Sequence, residues 1–143
     1  MSQISNEAVR ILSGISGSPI TFDDFTDVTV FVGIVECVFK GGGLGVSREV
    51  LEFLIPDPKG HSPNLIIEID GFQTASATVS LASFAYDGPV TDALWAVDFA
   101  HARLANEDSE TGSANLQVTA ALAVRGLSGI MLRVNYTVFA RSR

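Results

Sequence analysis

The sequence is poor in cysteine, histidine and basic side chains, and each scarcity removes a class of chemistry. Cys37 is the only cysteine among 143 residues. One thiol cannot close an intramolecular disulfide or supply the several thiolates of a structural zinc site. It lies within Val35-Glu36-Cys37-Val38-Phe39, where a small apolar thiol reads as a packed strand residue rather than a nucleophile. His61 and His101 are the only histidines, so one chain cannot assemble a three-histidine metal site. His101 follows Asp98 by three residues, a spacing that puts the two on opposite faces of a strand. A Ser/His/Asp relay would therefore come from remote segments, and no nucleophile-elbow motif marks its serine.

Nine Lys and Arg stand against sixteen Asp and Glu, a net charge of −7 with pI near 4.6. That field repels the phosphates of a nucleic acid. Apart from the short Arg141-Ser142-Arg143 run the basic residues are scattered, so no polybasic stripe holds an anionic membrane. Neither nucleic acid nor membrane is expected as a partner. The longest apolar stretch, Val28 to Phe39, is broken by Thr29, Gly33 and Glu36 and is far short of a membrane-spanning helix. The segment Met1 to Glu7 has neither a basic nor an apolar region of a secretory signal. The expectation is synthesis in a cytoplasm, with exit only by lysis, within a particle, or without a classical signal.

What the chain has is apolar residue: 47% of the sequence against 17% charged, with mean hydropathy +0.34. Disorder is excluded, and the length fits one domain over residues 1–143. So much apolar residue exceeds the interior of a small domain, which points to subunit contacts and a homo-oligomer.

Period-two patterning dominates. Leu116, Val118, Ala120, Leu122 and Val124 alternate with Gln117, Thr119, Ala121, Ala123 and Arg125. Ile130, Leu132, Val134, Tyr136, Val138 and Ala140 alternate with Met131, Arg133, Asn135, Thr137, Phe139 and Arg141. With Gly126-Leu127-Ser128-Gly129 between them these read as one antiparallel hairpin. Val79 and Leu81 alternate with Thr78 and Ser80 in a strand over Ala77 to Tyr86 that Asp87-Gly88-Pro89 closes. Leu65 to Ile69 reads as a short strand. Asp92 to Leu104 reads as a strand with Trp95, Val97 and Phe99 on one face, although its alanines also permit a helix. Val28 to Phe39 is apolar on both faces, as in a strand covered on both sides or lying at a subunit contact. Asn6 to Leu12 suits a short helical turn, and Ser47 to Ile55 fits either a capped helix or a strand running into Pro56. The expected fold is all-β: a single antiparallel β-sandwich, jelly-roll or lectin-like, with one or two short helical turns. The runner-up is an α+β domain with Asp92 to Leu104 as a helix.

Gly41-Gly42-Gly43-Leu44-Gly45-Val46-Ser47 precedes a candidate helix, the context in which amides cradle phosphate. No Lys-Ser or Lys-Thr pair follows and Val46 takes the place of a third glycine, so it reads as an inter-strand loop. Asp23, Asp24 and Asp27 form one acidic cluster, and Asn106, Glu107, Asp108 and Glu110 form another. Calcium takes six to eight oxygens from such groups, and neither cluster has EF-hand spacing. The loop from Asn106 to Ser113 is the better ligand or calcium candidate, because Asp87 to Asp92 flanks the far end of the same strand. Trp95, Tyr86, Tyr136 and Phe139 are the aromatics that could leave the core and stack on a sugar, and Trp95 is expected to pack inside with Val97 and Phe99. Asn135-Tyr136-Thr137 matches a glycosylation sequon within a strand, without a signal peptide, and reads as coincidence.

Ala77 to Phe84, Leu116 to Val124 and the closing Leu132-Arg133-Val134-Asn135-Tyr136-Thr137-Val138-Phe139-Ala140 together resemble the strand layout of the H-type lectin β-sandwiches. The resemblance covers about the second half of the chain and lies in the strand pattern. It implies a small, trimeric or hexameric, sugar-binding domain. That family commonly closes with a tryptophan near the final strand, and this chain has Phe139 there, so no binding residue is carried over. The functional expectation is a non-catalytic oligomeric module that recognises carbohydrate. The alternatives are a structural protein of a virion or other large particle, and a small hydrolase with paired carboxylates.

Overall fold

β-Branched and apolar residues at alternate positions set the length of the strands, and glycine and proline set their ends. The computed structural model describes residues 2–3, 9–16, 20–23, 26–39, 43–86, 94–126 and 130–143, with side chains over 27–39, 45–81, 96–125 and 131–143. Ten strands are described: β1 (Ser2–Gln3), β2 (Val9–Ser16), β3 (Ile20–Asp23), β4 (Thr26–Phe39), β5 (Gly43–Leu54), β6 (Ile66–Glu68), β7 (Phe72–Tyr86), β8 (Leu94–Asp108), β9 (Ser113–Gly126) and β10 (Ile130–Ser142). Among the described residues there is no helix, and so none long and apolar enough to cross a membrane.

The strands form two sheets. In the first, β9 is central: β5 and then β6 run along one side of it and β8 along the other, with β1 outside β5. In the second, β4 and β10 are the interior pair, with β2 and β3 along the outer side of β4 and β7 beyond β10. All pairings are antiparallel except the two-residue β1–β5 contact. The inward rows, Phe31, Val35, Cys37 and Phe39 of β4, Leu51 and Phe53 of β5, Leu116 to Val124 of β9, and Leu132 to Ala140 of β10, make one buried cluster between the sheets. This is a β-sandwich.

Two expectations change, and one open alternative resolves to strand. The C-terminal strands exist with the alternation read from the sequence, but they are not a hairpin. β9 pairs with β5 and β8, while β10 pairs with β4 and β7. Alternation fixes which face of a strand is buried and not which strand lies beside it. Here the two apolar rows cover each other across the core, a packing that side-by-side strands in one sheet cannot achieve. The helical turn expected over Asn6 to Leu12 is also absent where it can be followed: residues 4–8 lie outside the described residues, and Val9–Ser16 is strand β2. Ser47 to Leu54 is strand too, its Leu51 and Phe53 pointing into the core while Arg48 and Glu52 point out. The preference for a strand over Asp92 to Leu104 agrees with β8, Leu94–Asp108.

Between β5 and β6 the chain makes an excursion pinned by backbone bonds. Ile55 N–H donates to the Leu116 carbonyl at 2.8 Å, and Leu65 N–H donates to the Ile55 carbonyl at 2.9 Å. At its tip Asp57 accepts from the amides of Lys59, His61 and Ser62 at 2.9, 3.1 and 3.1 Å. These bonds hold its carboxyl below the usual carboxylate range, the Lys59 amide contributing most.

Candidate functional site

The hairpin joining β8 to β9 carries the acidic loop singled out in the sequence. Asn106 adopts φ 54°, a left-handed conformation that asparagine tolerates, and its Nδ2 donates to Asn115 Oδ1 at 3.0 Å. Asp108 Oδ1 accepts from the amides of Glu110 at 2.9 Å and Thr111 at 3.4 Å, and its carbonyl accepts from Gly112 N–H at 2.8 Å. The Asp108 carboxylate is thus engaged in shaping the turn. Glu107 and Glu110 are exposed. Among the described residues no three His, Cys, Asp or Glu side chains converge as a metal site would require. The Asp87 to Asp92 loop and the side chains of Asp23, Asp24, Tyr86 and Trp95 lie outside the described residues.

A second arrangement, on the outer face of the first sheet, was not legible in the sequence. Strict alternation would put Phe99 inside with Val97, but the register slips by one residue between them, a β-bulge. Phe99 stands opposite Ala121 on the outer row and is 51% exposed. Its ring stacks on His101, centroids 5.9 Å apart and planes at 14°. Asp98, next to the inward Val97, lies on the outer face by plain alternation and forms an ion pair with Arg48 of β5 across the small Ala123 of β9, while the bulge carries His101 to that face together with Phe99. Asp98 and His101 therefore share a face, contrary to the expectation from their spacing. One step along the row, Arg103 Nε donates to Gln117 Oε1 at 3.2 Å.

In the middle of this face lies Thr119, opposite His101 on one side and Glu52 on the other. It is only 7% exposed, and its hydroxyl is buried without a hydrogen-bond partner. An unsatisfied buried hydroxyl costs about 1–3 kcal/mol. Such an atom is either strain to be tolerated or a contact awaiting its partner.

The outer face of the second sheet has a different character. Val28, Val30, Val32 and Ile34 of β4 point away from the core and are half-buried, and Val38 is 44% exposed. Phe139 of β10 lies opposite Val30 and is 45% exposed. It lines a shallow hollow with Val28, Thr74, Ser76 and Arg141. An ion pair on this face joins Arg133 Nε to Glu36 Oε2 at 3.0 Å, at the far end of the same two strands. Of the aromatics singled out in the sequence, Phe139 leaves the core and Tyr136 does not: it packs on Phe53 inside. Cys37 is also inside, its thiol pushed up to about 11 by burial, with the Glu36 charge adding. A thiol so placed is inert.

No family model, no curated protein and no solved structure matches the chain. The functional argument therefore rests on the two outer faces.

Proposed function

We propose that the chain is a non-catalytic module that assembles with copies of itself through the outer face of the second sheet. The observation that carries this reading is the two-faced strand β4. Its inward row of Phe31, Val35, Cys37 and Phe39 already joins the core cluster, so the outward row of Val28, Val30, Val32 and Ile34, extended by Phe139, is apolar residue beyond what that core uses. Apolar residues gathered on one sheet face are what a subunit contact uses. The neighbouring Thr74, Ser76, Thr78 and Ser80 of β7 are short and uncharged, so they add no charge that would need desolvation.

The H-type lectin resemblance supports the same reading, since those sandwiches are trimeric or hexameric. Assembly through the second sheet leaves the first sheet facing outward on every subunit, as a multivalent recognition module requires. Multi-angle light scattering at micromolar concentration tests the proposal. A closed oligomer of defined mass is expected, and a monomer would overturn it.

A further inference from the structure

We propose that copies of the chain pair edge to edge along β7, joining two second sheets antiparallel into one continuous sheet about a two-fold axis. The inference rests on the assembly reading and gives it a geometry. β7 is the last strand of its sheet: β10 lies on one side, and no described strand is hydrogen-bonded to it on the other. β8 packs near it but belongs to the first sheet. An open edge presents a row of backbone donors and acceptors that another strand can take up, and proteins guard such edges with charge, proline, bulges or brevity. The other described edges are guarded. β1, β3 and β6 have two to four residues, β2 carries Arg10, and β8 carries Asp98, Arg103, Glu107 and Asp108. Beyond its short contact with β1, β5 carries Arg48 and Glu52. β7 runs for 15 residues, Phe72–Tyr86, without a charge, a glycine or a proline. Its bulges at Gln73 and Ala82 leave Thr74 to Leu81 regular between them, opposite Arg141 to Val134.

The partner that fits this edge is a second copy. Each chain carries a net charge of −7, so two copies repel where acidic surfaces meet, and an uncharged strand is where they approach most easily. The regular stretch is also self-complementary. Thr74, Ser76, Thr78 and Ser80 form its exposed row, while Ala75, Ala77, Val79 and Leu81 pack toward the core. A two-fold through Ala77 sets Thr74 opposite Ser80 of the partner subunit and Ser76 opposite Thr78 of the partner subunit, so hydroxyls meet hydroxyls along the whole row. On the inner side Ala75 meets Val79 of the partner subunit. The axis stands perpendicular to the sheet and keeps both outer faces on one side. Val28, Thr74, Ser76, Phe139 and Arg141 line one hollow, so the exposed row of β7 is continuous with the apolar face proposed for assembly. Edge pairing therefore makes two such faces into one broader face. A single pair of edge strands is too small an interface to hold alone, and the pairing forms together with the face contact.

The test is sedimentation velocity on the parent chain, on Ser76→Lys combined with Thr78→Lys, and on Ser76→Asp combined with Thr78→Lys. Both positions are exposed, and circular dichroism checks that the fold is kept. In the proposed register the first combination sets lysine against lysine across the two-fold, whereas the second sets aspartate against lysine. The double-lysine variant should sediment at no more than half the parent mass, and the aspartate-lysine variant should keep the parent mass. A folded double-lysine variant that keeps the parent mass would overturn edge pairing and leave assembly through the face standing. Loss of mass in both variants would overturn the self-paired register. A monomeric parent would overturn edge pairing and the assembly reading together, leaving the edge to a strand from a different protein.

Discussion

Phe53 of the first sheet and Tyr136 of the second meet across the core, their ring centroids 5.1 Å apart and their planes at 54°. The tilted contact ties the two sheets together at their middle, yet the Tyr136 hydroxyl is buried there without a partner. Tyr136→Phe removes that hydroxyl and keeps the ring, so stability should be unchanged or should rise by up to about 1 kcal/mol. Tyr136→Ala leaves a cavity and should cost about 3–5 kcal/mol. Urea unfolding of the two variants beside the parent checks both values.

Alkaline pH should unfold the protein through its core. Burial pushes Cys37 up to about 11 and Tyr136 up to about 12, from ordinary values of 9.0 and 10.0. Each group has a folded value above its unfolded one, so its contribution is fully present below the unfolded value and is lost as pH rises through the folded value. Stability should therefore fall from about pH 9 upward, each group adding a slope of about 1.4 kcal/mol per pH unit between its two values. A pH series of urea midpoints reads this, and Cys37→Ala with Tyr136→Phe should flatten it.

The loop that holds Asn106, Glu107, Asp108 and Glu110 should show unequal sensitivity. Asp108 accepts two backbone amides of the turn, so Asp108→Ala should cost about 1 kcal/mol. Glu107→Ser and Glu110→Ser, at exposed positions, should stay within about 0.5 kcal/mol. Thermal denaturation of the three single variants separates the turn's structural carboxylate from its solvated ones.

At the tip of the β5–β6 excursion, Asp57 should act as an acid-sensitive latch. Its carboxyl is held below the usual range by the amides of Lys59, His61 and Ser62. The stabilisation is present above the ordinary carboxylate value and is lost as pH falls through the depressed one. Amide hydrogen exchange at those three residues should lose protection as pH falls below the ordinary carboxylate range. In Asp57→Ala it should be low at every pH.

The sequence was most informative where alternation was strict and one face was buried. The rows of β9 and β10 were read correctly, because Leu116 to Val124 and Leu132 to Ala140 keep period two without interruption. Their partners were not, because residues 127–129 can turn a chain back within a sheet or carry it across to the other. The two apolar faces of Val28 to Phe39 were visible as such. Phe99 was misplaced because a bulge inserts a residue that leaves no mark in composition, and His101 moved with it. Thr119 looked like any outward polar residue, since the loss of a hydrogen-bond partner depends on the strands to either side. The outer face of the first sheet thus gathers residues that local sequence patterning could not bring together.

Sedimentation velocity on the parent chain and on Phe139→Glu, with circular dichroism as the check on folding, tests self-assembly through the second sheet most directly. Phe139 is 45% exposed and opposite Val30 on the apolar face, so a carboxylate there should spare the fold and burden an interface. The account predicts an oligomer for the parent and a monomer with an unchanged β spectrum for the variant. A folded variant that sediments as the parent oligomer does, or a parent that is itself monomeric, would contradict it.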